Sequence, residues 1–130
     1  LKSDGFERVL VANDGDECLP LLQAYGEKIF VMTLNLRMPR MSGFEVMRYL
    51  AGAHKQIMAV IMVTGTGDLK VAEEFLGLGT ANILAYDYFT KPFEFEELIP
   101  RMREAVSQVE AKRQMSIRYP MSIPHAGKEI

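Results

Sequence analysis

Three short, almost wholly apolar runs, separated by stretches of helical periodicity, constrain this chain more than any other feature. Residues 8–12 (RVLVA), 29–34 (IFVMTL) and 58–63 (MAVIMV) are largely apolar on both faces, as strands buried inside a parallel sheet require. A fourth strand around residues 85–90 (AYDYFT) is rich in aromatics and stops before Pro92, which cannot donate to a sheet ladder. Between the runs, Cys18, Leu19, Leu22 and Tyr25 share one face of a helix over residues 16–25, with Asp14 as cap and Gly26 as stop. Phe44, Val46, Met47 and Leu50 mark a second helix after Ser42-Gly43, and Leu69, Ala72, Phe75 and Leu76 a third that ends near Gly77 or Gly79. A last helix over residues 95–114 repeats Leu98, Ile99, Met102, Ala105, Val106 and Val109, with Glu94, Glu96 and Glu97 near its positive end. Pro20 sits early enough in its helix to be tolerated, while Pro100 is expected to fray or kink the start of the last one. Strand and helix in alternation predict an α/β fold around a parallel sheet.

Composition narrows the function. Fifteen Lys+Arg against 17 Asp+Glu leave a formal charge of −2, which argues against a basic nucleic-acid platform. At 48% hydrophobic and 25% charged residues, the chain can bury roughly two-thirds of its unfolded surface in one core. That core is expected over residues 1–114, with residues 115–130, which contain Pro120, Pro124 and Gly127, as a tail or linker. The longest apolar run, residues 57–63, falls well short of the ~18 residues of a membrane span. A single cysteine, Cys18, allows no internal disulfide and points to a reducing cytoplasm. The first residue is Leu1, with neither a basic start nor an apolar signal segment, so upstream residues are expected in the natural protein.

In an open α/β sheet the ligand site lies beyond the carboxyl ends of the strands. Those ends offer Asn35 after the second run, Thr64-Gly65-Thr66 after the third, and Lys91 before Pro92 after the fourth. An ammonium, a hydroxyl and free backbone N–H groups are what an anionic phosphoryl group needs.

The stretches NLRMPRMSGFEV (35–46), VIMVTG (60–65) and YDYFTKPF (86–93) resemble response-regulator receiver domains, in order and spacing, over residues 1 to about 109. The resemblance implies a CheY-like, flavodoxin-like doubly wound parallel sheet of order 2-1-3-4-5 with five helices. It also implies a signalling module rather than an enzyme, which takes a phosphoryl group from a histidine kinase onto an aspartate. Three departures stand out. The expected phosphoacceptor position holds Asn35, whose neutral amide is no carboxylate nucleophile and a weaker ligand for Mg2+. The family's first strand, the start of its first helix and its acidic pair are absent from this chain. Loss of that strand is expected to leave a slot with unpaired backbone groups between the strands at residues 8–12 and 29–34. Finally, about five extra residues, TANIL (80–84), precede the aromatic strand.

Carried over residue by residue, the resemblance makes Thr64 the hydroxyl that binds a phosphoryl oxygen and Tyr88 its aromatic switch partner; the plainer reading is a strand-end Thr and a half-buried Tyr. Gly65 would leave room for phosphate, or simply make a turn. Lys91 would form the site's ion pair and its bond to Pro92 would be cis; without acids it would hydrogen-bond the Asn35 amide. Met38 and Pro39 would shape the loop, and the Arg37 carbonyl would ligate a metal if upstream acids exist. Asn13-Asp14-Gly15-Asp16 fails the calcium-loop spacing and reads as a capping turn. His54 and His125 lie far apart and read as surface residues, Cys18 as core, and Lys112-Arg113 as a basic helix end that suits the dipole.

These readings make the chain a degenerate receiver, a pseudo-receiver acting by protein contact within two-component phosphorelay signalling. Its partners would be a histidine kinase or another signalling protein, or an output domain or second copy docked on the family's helix 4, strand 5 and helix 5. That face is formed here by the helix at residues 68–78, the Tyr88 strand and the last helix. No direct nucleic-acid contact, no membrane and no resident cofactor are expected. The alternatives are an ordinary Asp-phosphorylated receiver whose site carries an Asp-to-Asn change, and a flavodoxin-like cofactor-binding enzyme, which would lack its Gly-rich phosphate loop.

Overall fold

Four strands, β1 (Val9–Ala12), β2 (Val31–Asn35), β3 (Met58–Thr64) and β4 (Ile83–Thr90), form one parallel sheet in the order β1-β2-β3-β4. The computed structural model describes residues 8–12, 15–38, 41–53, 56–65 and 69–118. Four helices complete it: α1 (Gly15–Tyr25), α2 (Gly43–Ala53), α3 (Leu69–Leu76) and α4 (Phe95–Arg118), with a 3-10 turn at Gly26–Lys28. When each strand is followed by its spatial neighbour, right-handed crossovers place every connecting helix on the same face. Cys18 and Leu22 of α1, Met47 and Leu50 of α2 and Phe75 of α3 accordingly share one core with Met32, Leu34, Val60 and Met62 of the sheet. The opposite face belongs to α4, whose Leu98, Met102, Ala105 and Val109 cover Val9, Val31, Ala59 and Ile61. A sheet covered on both sides explains why β3 is buried at all seven positions and why the runs read as continuously apolar.

The expected slot beside the first strand does not exist. β1 and β2 pair directly, Val9 opposite Val31 through Ala12 opposite Leu34, because a gap there would leave two rows of ladder groups without partners. The last strand begins two residues earlier than its aromatic run suggested. Ile83 and Leu84, part of the extra TANIL segment, pair with Met58 and Ala59. Thr80 closes the turn before them, its N–H donating to the Ile83 carbonyl (2.8 Å) and its hydroxyl accepting from the Ile83 N–H (3.0 Å). The register then shifts between Val60 and Ile61, which leaves Tyr86 unpaired as a bulge. Helix α4 runs to Arg118, past the residue 114 expected as its end, and Pro100 is accommodated inside it. Asn13, Asp14, His54, Thr66, His125 and the segment 119–130 lie outside the described residues.

Candidate functional site

The carboxyl ends of β2, β3 and β4 finish side by side, with Asn35 opposite Val63 and Thr64 opposite Thr90. The ladder continues one residue further on each side of β3. The Leu36 N–H donates to the Val63 carbonyl (3.0 Å) and the Lys91 N–H to the Thr64 carbonyl (2.7 Å). The Lys91–Pro92 peptide bond is cis, and the Lys91 Nζ donates to Asn35 Oδ1 at 3.4 Å. Thr64, at 1% exposure, is buried on the strand between these two residues. Asn35, Thr64 and Lys91 thus come from three strand ends to one edge of the sheet.

Two features fix the backbone around Asn35. Ser42 and Glu45 form a reciprocal capping box at the start of α2. The Ser42 N–H donates to Glu45 Oε1 (2.8 Å) and the Glu45 N–H to Ser42 Oγ (3.2 Å), satisfying donors that the first turn leaves unpaired. Gly43 then packs directly on the strand end: its N–H donates to the Leu36 carbonyl (2.8 Å), and a Cβ there would stand 2.8 Å from the Asn35 carbonyl oxygen and 3.1 Å from the Leu36 Cα. Glycine is required at residue 43 by this close approach. The S-x-x-E spacing of Ser42 and Glu45 was visible in the sequence, whereas the approach to Asn35 needed the fold.

The remaining candidates differ in what surrounds them. Gly65 is exposed and a Cβ at its position meets nothing within 4 Å, so local space does not demand glycine. Tyr88 is half-buried against the core on the α1–α3 side of the sheet. Arg37 is exposed on the loop after β2. Cys18 is buried in the core, at 2% exposure. A magnesium ion needs several hard, preferably anionic oxygens. Among the described residues this edge of the sheet presents a neutral amide and an ammonium, and no group of three His, Cys, Asp or Glu side chains could hold a metal. The described residues therefore do not form a magnesium cage.

Away from this edge, β4 and α4 are joined by a polar cluster that sequence reading missed. The Arg101 Nε donates to Asp87 Oδ2 at 2.6 Å, the same guanidinium pairs with Glu104, and its centre lies 4.8 Å over the Tyr86 ring. The hydrogen bond to Asp87 raises the Arg101 pKa. Burial raises the Tyr86 phenol, against the pull of Arg101 and with help from Glu104. A cleft of about 630 Å³ lies at the opposite, amino end of the sheet, between the ends of α1 and α2, where the Gln23 amide donates to the Tyr49 hydroxyl at 3.2 Å. It is remote from Asn35 and Lys91.

Comparison with known proteins agrees with this architecture. The family model "Response regulator receiver domain" matches residues 1–103. The chain is 40% identical over 75 residues to the response regulator protein TmoT of Ectopseudomonas mendocina, covering 58% of this chain and 31% of that protein. It is 35% identical over 103 residues to the transcriptional regulatory protein CpxR of Escherichia coli (strain K12), covering 79% of this chain and 40% of that one. It therefore spans well under half the length of these relatives. Among solved structures, a response regulator receiver domain protein from Clostridium thermocellum superposes with a TM-score of 0.66 at 27% identity, over 78% of this chain and 76% of the other. Among the described residues no helix is long and apolar enough to cross a membrane. With the matched sequence and the parallel flavodoxin-like sheet in agreement, this chain belongs to the response regulator receiver domain family.

Proposed function

We propose that this receiver domain of a two-component response regulator is a degenerate one, which works by protein contact and takes no phosphoryl group at residue 35. The contact between Lys91 and Asn35 carries this reading. The residue at the strand end that meets the lysine has an amide, which holds the geometry of a carboxylate without its charge or nucleophilicity. Partner binding can still set conformation, because any partner with unequal affinity for two states shifts their populations. The surface for this is the α3, β4 and α4 face, where a histidine kinase or another signalling protein, an output domain or a second copy would dock. Thr64 and Tyr88 would report the state of the crevice, with Gly65 and the Lys91–Pro92 bond shaping it. Mg2+ would bind weakly, through the Arg37 carbonyl, and only if upstream acids exist.

Backbone NMR of the isotope-labelled protein tests the reading. Acetyl phosphate with Mg2+ is expected to leave the Thr64, Tyr88 and Lys91 amide signals in place. Shifts at these three that decay as a bound phosphoryl group hydrolyses would overturn it.

A further inference from the structure

Arg113 holds α4 to the amino-end rim of the sheet. The apolar stripe of α4 steps by four residues from Ala105 to Val109 and would place another apolar side chain at residue 113. Beneath that position, however, the sheet has ended, and what faces the helix is a set of carbonyls leading into the strands. The Arg113 guanidinium meets three of them: Nε donates to the Ile57 carbonyl (2.8 Å), one terminal nitrogen to that of Glu27 (2.6 Å) and the other to that of Ile29 (3.0 Å). The same guanidinium lies 4.1 Å from the centre of the Phe30 ring, and Arg8 lies 4.6 Å from that ring while pairing with Glu110 of α4 at 3.5 Å. Only a planar, multi-donor cation fits this set of acceptors. The lead-ins to β1, β2 and β3 are thereby tied to one turn of α4.

A second tie, from Arg101 to Asp87 on β4, holds the first half of the helix. The two arginines are twelve residues apart, about 18 Å along the axis at ~1.5 Å per residue. They differ in kind. Arg101 bonds a side chain on β4 and is itself partly exposed, whereas Arg113 bonds backbone groups that cannot move without the strands.

We propose that Arg113 is the fixed pivot of α4. Release of the Arg101–Asp87 tie lets residues 96–104 move relative to β4 while the half of the helix around Arg113 stays seated on the rim. The carboxyl-terminal half of α4 then keeps a direction set by Arg113. This inference stands whatever residue 35 does.

Hydrogen exchange by mass spectrometry on the whole protein tests it. Asp87→Ala, which removes the acceptor of Arg101, is expected to raise exchange severalfold in peptides from residues 96–104 and leave those from 106–118 at their original rate. Arg113→Lys, which keeps the charge but loses the planar fork, and Arg113→Met, which keeps only the apolar stem, are expected to raise exchange in 106–118 by about tenfold or more, with β3 peptides unchanged. Unchanged protection of 106–118 in both Arg113 variants would overturn the proposal. So would deprotection of both helix halves together in Asp87→Ala, or equal loss of protection in β3 and in 106–118 of the Arg113→Lys variant.

Discussion

Lys91 ties two strand ends at once: its ammonium donates to the Asn35 side-chain oxygen at 3.4 Å and its backbone N–H to the Thr64 carbonyl at 2.7 Å. The side-chain half of this tie is long, exposed and made to a neutral partner, so it contributes little to stability. Lys91→Met is expected to change the free energy of unfolding by less than about 0.5 kcal/mol, measured by urea denaturation. The cross-strand bond from the Lys91 backbone survives that change.

Two glycines near the site have opposite expectations. A methyl group at Gly43 collides with backbone atoms of Asn35 and Leu36, so Gly43→Ala is expected to cost about 1–3 kcal/mol and to shift the amide NMR signals of both residues. Gly65 faces open space, so Gly65→Ala is expected to stay within about 0.5 kcal/mol of the parent. Equilibrium unfolding of the two variants side by side checks both values.

Removal of the hydroxyl in Ser42→Ala breaks one half of the capping box at α2. A loss of about 1 kcal/mol is expected, and Glu45→Gln, which preserves the return hydrogen bond, should lose less. Thermal unfolding at matched pH measures the difference.

The Tyr86 phenol is held above its ordinary value of 10.0, chiefly by burial, with Arg101 opposing the shift and Glu104 adding to it. Because the folded state keeps this proton longer than the unfolded chain does, the associated stability is complete below about pH 10 and is lost as pH rises through the elevated value. Denaturation midpoints followed between about pH 9 and pH 11 should fall, and Tyr86→Phe should remove Tyr86's share of that slope.

Much of the sheet could be read from residues alone. The β2 and β3 runs are apolar on both faces because α1, α2 and α3 cover one side and α4 the other, so burial itself wrote the pattern. Asn35, Thr64 and Lys91 were placed at strand ends by the punctuation that follows each run. The direct pairing of β1 with β2 could not be read, because adjacency in a parallel sheet depends on which backbone groups lack partners in three dimensions. Leu84 gave no sign of belonging to β4, since the Tyr86 bulge interrupts the pairing period that would have extended the run. Arg113 sits where the helical period calls for an apolar residue. That anomaly was visible beside Val109, yet the carbonyls of Glu27, Ile29 and Ile57 that explain it come from distant parts of the chain.

Intact mass spectrometry of the protein and of Asn35→Asp, each incubated with acetyl phosphate and Mg2+, bears most directly on the chemistry at residue 35. The unaltered protein should gain no phosphoryl mass throughout the incubation. A phosphoryl adduct on the unaltered protein, on residue 35 or on any carboxylate of the crevice, would contradict the account.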